Sequence, residues 1–264
     1  MPSLRELTEY HKPTNLDEAI KLLQRPQVRT VPLAGGTQLV PSAAHHIEAV
    51  VDLSSLNLSY IKSTSQGIAI GATTTLQQIV DDEIMGEYAD GVLITAMLDS
   101  ASLNTRNAAS IAGSIVGAAG NSPLLTTLLA LDARLIVRGD REQEVSVANW
   151  VAQHGTLILK INLPALADHT HLAYEKVART PADLPIVCVA VRATIDKNRL
   201  ANVRLALGGV AGKPIVIEKA ESTIEQAAQL AVESIDPPSD YFATAEYRRE
   251  MIDVLVKRTL KSLV

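Results

Sequence analysis

The stretch Val31-Pro-Leu-Ala-Gly-Gly-Thr-Gln-Leu-Val40 passes from an apolar run into two adjacent glycines and a threonine, then turns apolar again. Gly35 and Gly36 carry no Cβ and can adopt positive φ, so a ligand can approach their N–H groups closely and several amides can converge on one anion. That geometry suits a phosphate or pyrophosphate, and it equally suits a tight strand-to-helix turn. A second glycine-containing segment, Arg106-Asn-Ala-Ala-Ser-Ile-Ala-Gly-Ser-Ile-Val-Gly117, shifts the reading toward a ligand gripped from two sides.

Outward from the first loop, Thr14 to Gln24 places a capping residue before an acidic first turn and repeats Leu16, Ile20 and Leu23 at helical spacing. Val28–Leu33 reads as the strand entering the glycines, with further strands at Ala49–Leu53 and Gly67–Ala72. Helical segments between Thr75 and Leu98 lead to Arg106, and Ser122–Leu131 precedes a strand over Ala133–Val137. Residues 154–162, 170–178, 186–195 and 201–208 are strand-like, with turns such as Asp196-Lys-Asn-Arg199 between them, and predict an antiparallel meander. The tail predicts an amphipathic helix starting at Asp236-Pro-Pro-Ser239, with Ala243, Tyr247, Met251, Val254 and Leu255 on its apolar face. The division that follows is 1–54 and 55–162 as two lobes, then 163–264.

The chain has 264 residues, is 47% hydrophobic and carries a formal charge of −5. It has no long basic run, which argues against nucleic-acid binding. The N-terminus lacks the apolar core of a signal peptide, and no run of about 18 apolar residues is present, so a cytoplasmic protein with no membrane insertion is expected. The single cysteine, Cys188, sits in Ile186-Val-Cys-Val-Ala-Val191 and reads as core; alone it can form neither an internal disulfide nor an iron–sulfur site. Aromatic residues make up 3% of the chain, leaving few rings to stack on a cofactor, and Trp150 reads as packing. The six histidines (His11, His45, His46, His154, His169, His171) form no metal-ligand pattern, with His45-His46 expected in a solvated loop. No general acid–base or nucleophile constellation stands out, and a nucleotide-hydrolysing loop is excluded because no Gly-Lys-Ser/Thr follows the glycines.

Seven blocks in order resemble the FAD-binding medium subunit of molybdenum hydroxylases, the xanthine dehydrogenase and carbon monoxide dehydrogenase type. They are Ala34-Gly-Gly-Thr-Gln-Leu39, Ile70-Gly-Ala-Thr-Thr-Thr75, Arg106-Asn-x-x-Ser-Ile-x-Gly113, Leu128-Leu-Ala-Leu-Asp-Ala133, Tyr174-x-Lys-x-x-Arg179, Leu207-Gly-Gly-Val-Ala211 and Ala245-Glu-Tyr-Arg-Arg249. The resemblance spans nearly the whole chain. It implies an α+β protein: a two-lobed α/β FAD-binding domain (PCMH-like) at 1–54 and 55–162, then a C-terminal flavoprotein domain of antiparallel sheet plus helices. By the same resemblance the first loop, Leu33, Ala34, Gly35, Gly36, Thr37, Gln38 and Leu39, wraps the flavin pyrophosphate. The second, Ala109 through Gly117 with Ser110, Gly113, Ser114 and Val116, lies against the other side of the cofactor, and Lys176 and Asp183 fall near the flavin region.

The implied role is a flavoprotein oxidoreductase subunit, incomplete alone, that passes electrons from a partner's iron–sulfur clusters via FAD to an external acceptor. The implied partners are an iron–sulfur small subunit and a molybdopterin large subunit. Two departures bear on this. Ala112-Gly113-Ser114 replaces the family's Gly-Gly-Asn, and Pro123 replaces an Asp before the helix, so two polar contacts of roughly 1 kcal/mol each are expected to be missing. The rival expectation from these departures is a scaffold or assembly subunit with weak or lost FAD binding.

Overall fold

The computed structural model describes residues 7–41, 46–196 and 199–264, so His45 and the tip of the turn at Lys197-Asn198 lie outside the described residues. In chain order the first elements are β1 (Glu9–His11), α1 (Leu16–Leu23), β2 (Thr30–Leu33), β3 (Ala49–Asp52), β4 (Ile61–Thr64) and β5 (Gly67–Gly71). Helices follow: α2 (Leu76–Val80), α3 (Glu83–Glu87), α4 (Val92–Ser100), α5 (Leu103–Ala108), α6 (Ile111–Val116) and α7 (Pro123–Leu131). The rest are β6 (Arg134–Arg138), β7 (Glu142–Ser146), β8 (Leu157–Pro164), β9 (Thr170–Val177), β10 (Val187–Asp196), β11 (Arg199–Gly208), β12 (Ile215–Ser222), α8 (Ile224–Glu233) and α9 (Ala245–Lys261). They form two compact units. One takes the chain to Ile79, 103–117 and 134–163; the other takes 80–102, 118–133 and 164–264.

In the first unit, β3 lies between β1 and β2 in a small parallel sheet, and its Ala49-Val50-Val51 run is buried throughout. Parallel strands need crossover connections, and α1 supplies the one between β1 and β2. Asn15 caps that helix by accepting the Glu18 N–H at 2.9 Å, and Asp17 and Glu18 complement the positive end of its dipole. Its Ala19, Ile20 and Leu23 pack with Val51, Leu53, Leu157 and Leu159 in one core. The unit's second sheet has the order β4-β5-β8-β6-β7. Here the structure corrects the sequence reading: the strand expected at 154–162 is β8, and it pairs antiparallel with β6 instead of joining the later meander. Strand periodicity specifies which faces are buried, not which neighbour supplies the hydrogen bonds.

The second unit is built on the meander β12-β11-β10-β9, antiparallel throughout, so it gains β12 where the sequence reading had placed β8. Alternate residues of β10 face opposite cores. Val187, Val189, Val191 and Ala193 pack with α8 and α9, whereas the Cys188 thiol reaches Thr126 Oγ1 of α7 at 3.5 Å. A sheet covered on both faces explains why Ile186–Val191 is an unbroken apolar run. Cys188 is fully buried, and desolvation pushes its thiol up to about 12, so it is core, as read from sequence. Helix α7 is buried around nearly its whole circumference. At its C-terminus Arg192 Nη1 donates to Leu131 O and Arg204 Nε to Leu129 O, which also accepts the Asp132 N–H, both arginine bonds at 2.8 Å.

Two further expectations change. The last helix begins at Ala245 with Thr244 as its cap, not at Asp236–Ser239, because the two prolines hold the chain extended. Its buried face is Arg248, Ile252, Leu255, Val256, Thr259 and Leu260, while Tyr247 and Val254 point outward. Arg248 conceals this stripe, since a charged residue reads as surface until its partners are known. Nη1 donates to Ile186 O and Gly209 O at 2.7 Å each, and Nη2 donates to both Asp240 oxygens at 2.8 Å. One guanidinium thus ties α9 to two turns of the sheet and to the loop before the helix.

Arg248→Ala is expected to remove about 3 kcal/mol of stability, since it orphans two carbonyls and a carboxylate, and Arg248→Lys to recover little because an ammonium cannot reproduce the fork. Denaturant unfolding measures both. Burial raises the Asp240 pKa, but hydrogen bonds from the Phe242 and Ala243 amides and from Arg248 outweigh it and hold the carboxyl below its ordinary value. A lowered folded pKa gives stability that is present above the unfolded value and lost as the pH falls through the folded one. The stability gap between the native chain and Asp240→Asn should therefore close below about pH 4, and a gap independent of pH would show that the carboxylate charge is not what the arginine needs.

Candidate functional site

The first unit contains a cleft of about 450 Å³, within the range of small-molecule sites. One wall is the loop leaving β2. Leu33 O is held by the Leu53 N–H at 2.9 Å, and the chain then passes through Gly35 and Gly36 into a turn closed by the Val40 N–H on Gly36 O, also 2.9 Å. The described residues that follow the glycines, 37–41, form a turn and not a helix. The two glycines do different work. Gly36 sits at φ +69°, the left-handed region. Gly35 is needed for space, because a Cβ there would lie 1.6 Å from Ala108 O.

The opposite wall is the second loop. The Ile111 and Ala112 N–H groups bond back to Thr74 O and Ala72 O, and the Leu76 N–H bonds Ala109 O. Ser110 caps α6 by accepting the Gly113 N–H at 3.2 Å. A Cβ on Gly117 would meet Gln38 Cγ at 2.8 Å, so the two loops interlock at two points: Gly35 on Ala108, and Gly117 on Gln38.

The two loops differ in what they leave open. Of the amides of the second, those of Ala109, Ile111, Ala112, Gly113, Ser114 and Gly117 are spent inside the protein. Among the described residues, no acceptor engages the N–H of Gly35, Gly36, Thr37 or Gln38, nor the Thr37 hydroxyl. Unspent donors beside a cleft, on a loop without a Cβ at its closest approach, fit a phosphate or pyrophosphate held by neutral groups.

The structure brings together most of the residues singled out from sequence. Leu33, Ala34, Gly35, Gly36, Thr37, Gln38 and Leu39 line the cleft, as do Ser110, Gly113, Val116 and Gly117. Ala109 is buried behind it and Ser114 is in α6 without lining it. Lys176 and Asp183 belong to the second unit. The Lys176 ammonium is bound there by Asp99 and by Pro181 O, each at 3.0 Å. Asp183 borders a separate cavity of about 530 Å³ with Asn121, Arg179, Asp240, Phe242 and Arg248. Pro123 is also in the second unit, buried at the first position of α7, where its fixed φ and missing N–H are favourable. Asn121 donates to Pro185 O at 2.7 Å and Ser122 caps α7 through the Leu125 N–H, so both are engaged locally. Sequence reading missed the third wall of the cleft, formed by Trp150, Ala152, Gln153, Thr156, Leu157 and Ile158. No local motif marks it, because it is brought to the glycine loop by the packing of β8 on α1 and β3.

The protein family described as FAD binding domain in molybdopterin dehydrogenase matches residues 5–166, well over half the chain. The chain belongs to this family. The CO dehydrogenase flavoprotein C-terminal domain matches residues 172–263, so the two descriptions together cover nearly the whole sequence. Similar relatives include the glyceraldehyde dehydrogenase medium chain of Sulfolobus acidocaldarius, 28% identical over 96% of this chain and 97% of its own. The carbon monoxide dehydrogenase medium chain of Hydrogenophaga pseudoflava is 27% identical over 96% of each. The fold matches a solved structure of carbon monoxide dehydrogenase from Hydrogenophaga pseudoflava that lacks the Mo-pyranopterin moiety, with a TM-score of 0.89, 24% identity and coverage of 100% of this chain and 98% of that one. The family's cofactor is FAD and its members are oxidoreductase subunits. Among the described residues, the open amides of the first loop have the donor chemistry that a pyrophosphate calls for.

Gly35→Ala must push the second loop away, and Gly36→Val both strains the left-handed position and crowds the donors. Both are expected to lose FAD uptake. Gly86→Ala, where a Cβ would meet nothing within 4 Å, should keep it. Flavin content per chain after reconstitution measures all three; normal flavin in the first two would remove the loop from the site.

Proposed function

We propose that this chain is the FAD-carrying electron-transfer subunit of a molybdenum hydroxylase complex, working in the cytoplasm and passing electrons from a partner's iron–sulfur clusters via FAD to an external acceptor. The observation that carries the reading is the set of unspent amides at Gly35–Gln38, set against a second glycine loop in which the Ala109, Ile111, Ala112, Gly113, Ser114 and Gly117 N–H groups are already bonded. Leu33–Leu39 would hold the pyrophosphate, and Ser110, Gly113, Val116 and Gly117 would shape the facing wall, with Ala109 and Ser114 behind it. Lys176 and Asp183 remain proposed contacts of the flavin region. Bound FAD supplies the redox chemistry, and this chain's residues bind it, orient it and keep water from it. With one buried cysteine and no group of three or more His, Cys, Asp or Glu able to hold a metal among the described residues, the chain leaves cluster and molybdenum chemistry to an iron–sulfur small subunit and a molybdopterin large subunit.

The functional division we propose is 1–54, 55–162 and 163–264. The change of sheet after β3 and the gap between the two family matches, 166 to 172, support it. No helix of the described residues is long and apolar enough to cross a membrane. The competing reading, a scaffold subunit with little FAD affinity, rests on Ser114 and Pro123. Because Pro123 is buried at the start of α7, Pro123→Asp is expected to destabilise the chain by burying a carboxylate and not to tighten FAD binding.

Purification of the tagged full chain from its own cells tests the proposal. The expected result is a yellow complex containing FAD, iron, molybdenum and two further polypeptides. The same complex without flavin would favour the scaffold reading, and a chain that carries flavin but copurifies with no iron or molybdenum protein would overturn the assignment to this type of enzyme.

A further inference from the structure

The third wall of the cleft is built unlike the other two. It carries Trp150, the one tryptophan of a chain with 3% aromatic residues, and three positions later Gln153. The backbone carbonyl of Gln153 is taken by the Thr156 N–H at 3.3 Å and the Thr156 hydroxyl at 2.7 Å, which fixes the turn. Its side-chain amide has no partner among the described residues. Trp150 is partly buried at the cleft, while the neighbouring Val151 is 63% exposed, so the segment places the indole and not the aliphatic residue at the site.

A flat aromatic surface accepts a heterocycle by stacking, whatever its identity. A free carboxamide offers a donor and an acceptor side by side, the pattern complementary to the edge of adenine. Both lie on the cleft whose other wall carries the unspent amides of the glycine loop. We infer that Trp150 and Gln153 form the adenine subsite of the cleft, Trp150 packing on the ring and Gln153 reading its edge, with the diphosphate directed to Gly35–Gln38. This rests on the cleft being the FAD site. It also makes the subsite selective for the adenosine half, so ADP should occupy it without the flavin.

Titrating the flavin-free full chain with ADP, FMN and FAD tests this through tryptophan emission, which comes from Trp150 alone. ADP absorbs nothing in the range of indole emission, so a change on its addition requires contact or desolvation at Trp150. The expected result is a saturable change with ADP, none with FMN, and competition of ADP against FAD. Trp150→Phe should keep a ring and most of the FAD affinity, whereas Trp150→Ala should weaken ADP and FAD binding by about tenfold, as loss of base stacking implies. Gln153→Glu, which removes the donor and sets a carboxylate against the ring-nitrogen acceptor, should weaken ADP and FAD binding. FAD binding with unchanged affinity in Trp150→Ala, or ADP binding with silent emission, overturns the subsite and leaves the FAD reading standing. Failure of FAD to bind the native chain at all, seen by flavin anisotropy, overturns both.

Discussion

The site depends on one close approach, that of Gly35 to the carbonyl of Ala108. With a Cβ at position 35 the two segments could not lie where they do, because no side chain tolerates a carbonyl oxygen at 1.6 Å. The contact in turn requires both segments to be fixed. Residues 30–33 are fixed by pairing with β3, and residues 109–112 by hydrogen bonds to 72–76. Gly117 against the Gln38 side chain closes the same arrangement from the other end. The result is a preorganised wall of donors rather than a loop that must order itself around a ligand, which saves the ordering entropy that a mobile loop would lose on binding.

What could be read from the sequence follows from how local each cause is. The helix at Leu16–Leu23 announces itself through Asn15, its acidic first turn and its spacing, and the strands through their apolar runs. The glycine loop is legible for the same reason, since positive φ and close approach are properties of the residues themselves. Pairing is not local. β8 looks like any half-buried strand, and only the packing of Leu157 and Leu159 on α1 decides that it belongs to the first unit. The short, exposed strands β4 and β7 and the polar edge strand β12 carry too little apolar signal to stand out. Trp150 was legible as an aromatic residue but not as a wall of the cleft, because 110 residues separate it from Val40 and only the fold closes that distance.

Buried arginine is the other place where pattern and structure part. Arg204 and Arg248 are buried, and both, like the half-buried Arg192, spend the guanidinium on backbone carbonyls. Their burial is tolerable because charge-assisted bonds to carbonyls and carboxylates replace the lost water. The price is that none is free for a ligand.

That commitment bears on how an anionic cofactor would be held. Cations look like the natural partners of a pyrophosphate, and Lys176 is one, but its ammonium already serves Asp99 and Pro181 O, and recruiting it would break both bonds. The glycine-loop amides face no such competition. They are neutral and carry no desolvated charge when empty, and their backbone is already held by the β2–β3 pairing on one side and the Gly36–Val40 turn on the other. A net charge of −5 raises the background repulsion an anion meets on approach, but at physiological salt that field is screened over about 8 Å, so short-range donor geometry dominates. Affinity in this chain should therefore depend weakly on ionic strength compared with a site built from lysines and arginines. FAD titrations at about 0.05 and 0.5 M salt distinguish the two: a nearly constant affinity fits neutral amides, and a steep loss would mean that a cation, Lys176 or another, carries the pyrophosphate after all.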